Sequence, residues 1–425
     1  MKSIIKNTLV AILIVTGFSV FAQNNRSLDN YRQPDKNGLN VFESPKDTVS
    51  TFKDVKVRIG GSSTIQYQAL SHENSDEMGV ELKKIGSNFN LATANLDLDV
   101  ALYSGVRMHL RTYLSSRHHH EPYVKGGYIQ IDKLDFIEEG FAADFMKYLT
   151  VKIGHMENNY GDAHFRRSDN AQSIYNPFVG NLIMDSFTTE VGAEVYYQKN
   201  GIISMLGFSN GKLNQSTNES AEGNTGGASF LAKLGYDKQV NDDFRFRITG
   251  SLYNTGYVAN SYLYSADRAG SRYYGVMIDE TATSDDFRSG RYNPGLKNQI
   301  TAIMFNPFVK YKGLEFFGTI ESATGKANSE ADNRTAKQFA GELIYRFGSD
   351  EDYYFGGRYN KVDSEDPSGE DVEISRFQLA AGWFMTKNIL LKAEYVSQKY
   401  DGYGAGSKFE DGKFDGLMIE AAISF

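Results

Sequence analysis

Hydrophobic residues recur at every second position along most of this chain. At the C-terminal end Leu417, Ile419, Ala421, Ile423 and Phe425 share one parity, while Gly416, Met418, Glu420, Ala422 and Ser424 share the other. Successive strand side chains point to opposite faces, so such a segment has one oily side and one mixed side. Phe377, Leu379, Ala381 and Trp383 likewise oppose Arg376 and Gln378, and Phe339, Leu343, Tyr345 and Phe347 oppose Glu342 and Arg346. Phe244, Phe246 and Ile248 oppose Arg245 and Arg247, and Val106, Met108 and Leu110 oppose Arg107, His109 and Arg111. Extended over the chain, the period predicts about sixteen strands, at 55–70, 88–103, 106–115, 123–135, 148–157, 187–198, 202–210, 227–238, 244–254, 298–311, 313–323, 337–347, 353–364, 372–385, 388–400 and 414–425.

Soluble sandwiches alternate too, so the connections have to separate the cases. After even-numbered strands they are short (Ser104-Gly105, Lys199-Asn200-Gly201, Lys312-Gly313, Thr386-Lys387), apart from 136–147. After odd-numbered strands they are mostly long and polar, the longest running from 255 to 297. Aromatic residues also gather at the short-turn end, among them Tyr236, Phe244, Tyr311, Tyr345, Phe347, Tyr353, Trp383 and Phe425. A lipid–water interface collects rings at one height, and a soluble core has no reason to. The expected fold is all-β: a transmembrane antiparallel β-barrel of about sixteen strands in the outer membrane, with short periplasmic turns and long extracellular loops. A soluble β-rich binding protein is the alternative.

Composition sharpens this picture. The 425 residues include 27 Tyr, 28 Phe and 41 Gly but only 7 Pro, which favours many regular strands. The absence of cysteine excludes disulfides, thiolate metal sites and a cysteine nucleophile. A net charge of -8 argues against nucleic acid as a partner. Lys2, Lys6, the apolar stretch Leu9 to Val20 and the Val20-Phe21-Ala22 end read as a secretory signal over 1–22, too short to span a bilayer. Residues 23–54, with Pro34 and Pro45 and no sustained apolar period, form an N-terminal periplasmic segment: a flexible leader, a short plug or a docking strand for a partner. The barrel occupies 55–425.

The stretch Tyr148 to Glu157 (YLTVKIGHME), followed by Asn158-Asn159-Tyr160-Gly161 and preceded by Tyr128-Ile129-Gln130-Ile131, resembles the phosphate-selective porin family. Tyr31 to Lys46 is similar to the start of Bacteroidetes outer-membrane porins, and the terminal Phe425 to the signal read by the barrel-assembly machinery. The resemblance implies a water-filled channel, often a homotrimer, with the third long loop folded into the pore. That loop is 158–186, and Asp162, Arg166, Arg167 and Asp169 are its candidate constriction residues. The family's anion-binding members carry a dense basic ladder; Arg166-Arg167 here is a single basic pair between acidic residues.

Parity assigns Arg107, Arg111, Arg245, Arg247, Arg346, Arg358 and Arg376 to the lumen, with Glu190, Glu194, Glu342, Asp97 and Asp99 among the acids. A wall of nearly balanced sign suits passive diffusion of small hydrophilic solutes, with Arg166 and Arg167 able to add a mild anion preference; a lumen plugged by loops, with little conductance, is the other reading. The rival from another class is a non-conducting barrel subunit of an outer-membrane export, assembly or uptake complex. Lipid and lipopolysaccharide are the expected surroundings; no cofactor, metal or enzymatic activity is expected. Gly207-Phe208-Ser209-Asn210-Gly211 matches a nucleophile elbow, but a polar run follows where that motif needs a helix. His118-His119-His120 does not complete a zinc motif, and Asp363 to Asp371 lacks the order of a calcium loop.

Overall fold

The computed structural model describes residues 28–47, 49–75, 80–115, 122–213, 227–265, 272–282 and 288–425. The stretch read as a secretory signal and the three adjacent histidines lie outside the described residues. Sixteen strands form: β1 Lys56–Glu73, β2 Asn88–Tyr103, β3 Val106–Ser115, β4 Tyr123–Ile131, β5 Leu149–Glu157, β6 Thr189–Lys199, β7 Ile202–Ser209 and β8 Ser229–Gln239, then β9 Phe244–Thr255, β10 Gln299–Tyr311, β11 Leu314–Lys326, β12 Arg334–Phe347, β13 Tyr353–Glu365, β14 Asp371–Thr386, β15 Ile389–Asp401 and β16 Lys413–Ser424. Each pairs antiparallel with its neighbours in sequence, and β1 closes on β16 from Ser62↔Ser424 to Glu73↔Lys413. Closure leaves no strand edge unpaired, the condition for crossing hydrocarbon with strands.

Local chemistry explains the turns. Asn200 and Gly201 both have positive φ, the backbone of the tight hairpin turn whose twist matches the flanking strands. Gly154 in β5 has φ 137°, and a Cβ there would lie 2.4 Å from the Gly127 carbonyl on β4, so only glycine fits this kinked position. The exception among the short connections, 136–147, holds a one-turn helix, α1 Ala143–Met146, and β4 stops at Ile131 rather than running to 135.

Alternation sorts the side chains as the period requires. On β14 Leu379 is 49% exposed while its neighbour Gln378 is buried, and on β12 Leu343 is exposed while Glu342 is buried. The outward faces carry the apolar girdle. At the short-turn end its rings stack, Tyr345 on Phe347 along β12, then Phe347 on Tyr353 of β13 and Tyr353 on Trp383 of β14, with centroids 5.7–6.2 Å apart. Phe425 ends the chain with its ring exposed and its backbone exchanging hydrogen bonds with Gly61 of β1, at 3.0 and 3.1 Å.

The inward faces differ from a wholly polar wall. Inward Met205, Leu231, Ile300, Met304, Val362, Ile374, Phe414 and Met418 form one apolar cluster with Val179, Ile183 and Met184 of the 158–188 connection and Leu263, Tyr264, Tyr273, Val276 and Met277 of the 256–298 connection. Two long loops therefore fold back into the barrel and build a core there. Leu379 sits midway along a lipid-facing strand, so Leu379→Arg is expected to cost about 2–4 kcal/mol. Equilibrium unfolding from lipid vesicles measures it, with Gln378→Arg on the opposite face as the comparison.

Candidate functional site

The 158–188 loop leaves β5 at Glu157 and crosses the lumen, held at its start by Asp162. This carboxylate accepts from Arg247 Nε (2.8 Å) and Nη2 (2.9 Å), from the Thr249 hydroxyl (2.7 Å) and from Lys233 Nζ (3.0 Å). Two cations and a hydroxyl around one buried acid hold its pKa well below the usual carboxylate range, against the opposing effect of burial. Arg166 donates to the Asn40 side chain (2.6 Å) and pairs with Glu342 at 3.3 Å. Arg167 forms a two-pronged pair with Asp185, at 3.1 and 2.6 Å, and lies over the Phe187 ring. Asp169 faces Lys125 at 3.5 Å. All four of these loop residues are buried. Arg166 thus takes Glu342 of the wall as a partner, and Arg167 takes Asp185 of its own loop.

The barrel wall reaches toward the loop backbone. Lys392 Nζ donates to the carbonyls of Ser173, Asn176 and Phe178 at 3.0–3.2 Å while paired with Glu420. Arg358 joins Glu342 and the Gly180 carbonyl, and Arg376 joins the carbonyls of Asn181 and Gly290. Glu394 accepts from the amides of Val179 and Gly180. A buried charge needs hydrogen-bonded company, and here an irregular loop with unpaired backbone groups supplies it. The remaining candidate charges pair close to home: Arg111 with Asp97, Arg107 with Asp99 at 3.5 Å, Arg245 with Asp237 and Arg346 with Glu315. Glu194 accepts the Asn159 amide and the Tyr196 hydroxyl, and Glu190 accepts the hydroxyls of Tyr253 and Ser209. Ser209 thus donates its hydroxyl to the Glu190 carboxylate of the neighbouring strand.

The N-terminal segment enters the barrel from the short-turn mouth. The Lys36 amide donates to the Lys387 carbonyl of the β14–β15 turn, and Lys46 Nζ pairs with Asp132 at 2.9 Å. Deeper in, Glu43 grips Arg247 with both oxygens, at 2.7 and 2.9 Å, and Phe42 packs edge-on against Phe308. Asn40 donates to Glu315 and its carbonyl accepts from Arg245. Glu43 and Asp162 thus share one guanidinium, which ties the segment and the loop into a single buried cluster. Burial alone would raise the Glu43 pKa; Arg247 and Lys233 pull it down.

Two cavities bear on the lumen and its mouth. One, of about 160 Å³, lies between β2–β6 and the packed segments, and is lined by Tyr31, Arg32, Arg111, Tyr128, Lys152, His164, Tyr175 and Tyr196, among others. The other, of about 1200 Å³, opens at the short-turn mouth beside Asn37, Asp243, Lys310, Glu351 and Lys387.

Sequence reasoning missed the partners Asn40, Glu43 and Lys46 and the inward fold of the 256–298 connection. A signal for the latter existed: Tyr257, Tyr262, Tyr264, Tyr273, Tyr274 and Tyr292 are too many rings for a solvated loop.

No protein-family model matches this chain, and no curated protein sequence does. Among solved structures, the anion-selective porin from Comamonas acidovorans superimposes with a TM-score of 0.54 at 10% identity, covering 88% of this chain and 100% of that one. The outer membrane channel DcaP of Acinetobacter baumannii gives 0.52 at 12% identity, over 88% and 98% of the two chains. Pseudomonas putida OprB gives 0.52 at 11% identity, over 88% and 94%. At such identities the likeness is one of fold. The molecule has the architecture of bacterial outer-membrane porins, a closed barrel of sixteen antiparallel strands with an apolar girdle, and the outer membrane is where such a barrel resides.

Glu43 and Asp162 both have depressed pKa values in the folded chain, so their stabilisation is present above the unfolded carboxylate value of about 4 and is lost as pH falls through the lower folded values. Protection of residues 28–47 from protease should therefore persist at neutral pH and fade only below about pH 4. Glu43→Gln should weaken the docking by about 1–3 kcal/mol and expose the segment at pH 7, as read by the rate of cleavage within it.

Proposed function

We propose that this protein is an outer-membrane porin, a passive channel for small hydrophilic solutes with a mild preference for anions. The observation that carries the reading is the cavity beside β2–β6, the polar space left between the wall and the folded-in segments, where cations outnumber acids. Its lining includes Arg32, Arg107, Arg111, Lys125 and Lys152 against Asp97, Asp99 and Glu157. Low-dielectric walls around an uneven charge set raise the local concentration of the opposite sign. The solute route passes through this cavity to the wide mouth at the short-turn end. Asp162, Arg166, Arg167 and Asp169 set the constriction by pinning the 158–188 loop across the lumen, and the charges of Arg245, Arg247, Arg346, Arg358, Arg376, Glu190, Glu194 and Glu342 hold its supports in place.

Kinship with phosphate-selective porins of Bacteroidetes type rests on the 128–161 motif and the 31–46 segment, and assembly as a homotrimer belongs to that kinship. Residues 28–54 act as a plug at the periplasmic mouth. The exposed Phe425 ring at the β1–β16 seam is the signal read by the barrel-assembly machinery.

Planar-bilayer recording tests the reading. Purified protein should give discrete open steps; silent traces with partners that co-purify would favour the structural-subunit alternative. Deleting residues 28–46 should raise the step conductance roughly twofold or more, because it removes a chain from the mouth. Replacing Arg166 and Arg167 together by Ala removes two positive charges and leaves Glu342 with Arg358 and Asp185 with Arg291, so the reversal potential under a KCl gradient should move toward cation preference. An unchanged potential would take these two residues out of the selectivity argument.

A further inference from the structure

Most cations around the 160 Å³ cavity already have an acid. Arg107 and Arg111 have Asp99 and Asp97, Lys125 has Asp169, and the His164 ring donates to the Glu157 carboxylate at 2.6 Å. Arg32 and Lys152 differ: neither has a carboxylate within ion-pair distance among the described residues. The Arg32 guanidinium donates to the carbonyls of Gly38 (3.1 Å) and Phe165 (3.2 Å) and lies 3.7 Å from the centre of the Tyr175 ring. Lys152 projects from β5 between the Tyr196 and Tyr128 rings, its nitrogen 4.9 and 5.7 Å from their centres, and makes no hydrogen bond to the protein. Both side chains are half-buried and face the cavity.

A charge partly removed from water without a counter-charge is costly, and an entering anion relieves that cost. The walls add a second requirement. Tyr31, Phe42, Tyr128, Phe165, Tyr175 and Tyr196 present rings to the same space. A hydrated inorganic anion gains nothing from such walls, and a neutral apolar ring gains nothing from the cations. A planar ring bearing a carboxylate uses both.

We infer that this cavity is a recognition site for small aromatic carboxylates, with the carboxylate drawn to Lys152 and Arg32 and the ring seated among the tyrosines. The inference rests on the porin reading and names the solute class that the channel selects.

The experiment uses the full mature chain and benzoate as the probe, with acetate and inorganic phosphate as comparisons. Benzoate added to an open channel in KCl should reduce the current at concentrations where acetate and phosphate leave it unchanged. Lys152→Gln and, separately, Arg32→Gln should raise the half-blocking benzoate concentration roughly tenfold, the loss of one charge-assisted contact. Calorimetric titration of benzoate into the detergent-solubilised protein reads the same site whether or not the chain conducts. A silent bilayer with intact benzoate binding would remove the porin reading and leave the site standing. Equal block by phosphate and benzoate, or variants that bind benzoate as the parent does, would overturn the aromatic-acid assignment. Heat-modifiable migration on gels confirms that each variant is a folded barrel before it is compared.

Discussion

Every peptide group that enters hydrocarbon must find its hydrogen-bond partner within the protein, and the rest of this molecule depends on that constraint. Strands can meet it only by closing, so the pairing of β1 with β16 is what makes the other fifteen ladders usable in a membrane. Closure also divides the side chains into two populations with opposite solvents. Leucine and phenylalanine on the outside need no partner, whereas each charge on the inside must be solvated by water or by other protein groups.

The protein answers that second demand largely with its own loops. Lys392, Arg358 and Arg376 hold carbonyls of the 158–188 loop, and Glu394 holds two of its amides. Irregular backbone is poor at satisfying itself, and a charged barrel wall is poor at being left dry, so each repairs the deficit of the other. The Glu43–Arg247–Asp162 cluster applies the same logic to the N-terminal segment. Where the loops instead carry Val179, Ile183, Met184, Leu263 and Val276, the wall offers methionines and aliphatics, and the interior there is an ordinary close-packed core. The cavity that remains beside β2–β6 lies where this pairing is incomplete.

That asymmetry gives the cavity beside β2–β6 its character. Arg111 with Asp97 and Arg107 with Asp99 neutralise each other across adjacent strands, so they shape the wall without biasing it. Arg32 and Lys152, set against rings, keep their charge available. Selectivity in such a lumen follows from which charges remain uncompensated more than from how many line it.

The strands were legible in the sequence because the property that makes them is local. A period of two decides which face of each strand is oily, and a pair such as Asn200-Gly201 decides where it turns; the observed strands start and stop within a few residues of that pattern. The inward direction of Arg247, Arg376 or Glu342 follows from the same parity. The partners of those residues were not legible. Arg247 meets Glu43, 204 residues away, and Lys392 meets Phe178, 214 residues away. Such meetings are set by how the loops pack once the barrel has closed, since a side chain's parity fixes its face but not what another segment brings to it. The sequence by itself determined the barrel, its two faces and its ends. Only the tertiary structure decided how far the folded-back chain fills the lumen and which charges face the remaining space, because the partner in a long-range contact, unlike strand periodicity, is not written into the residues beside it.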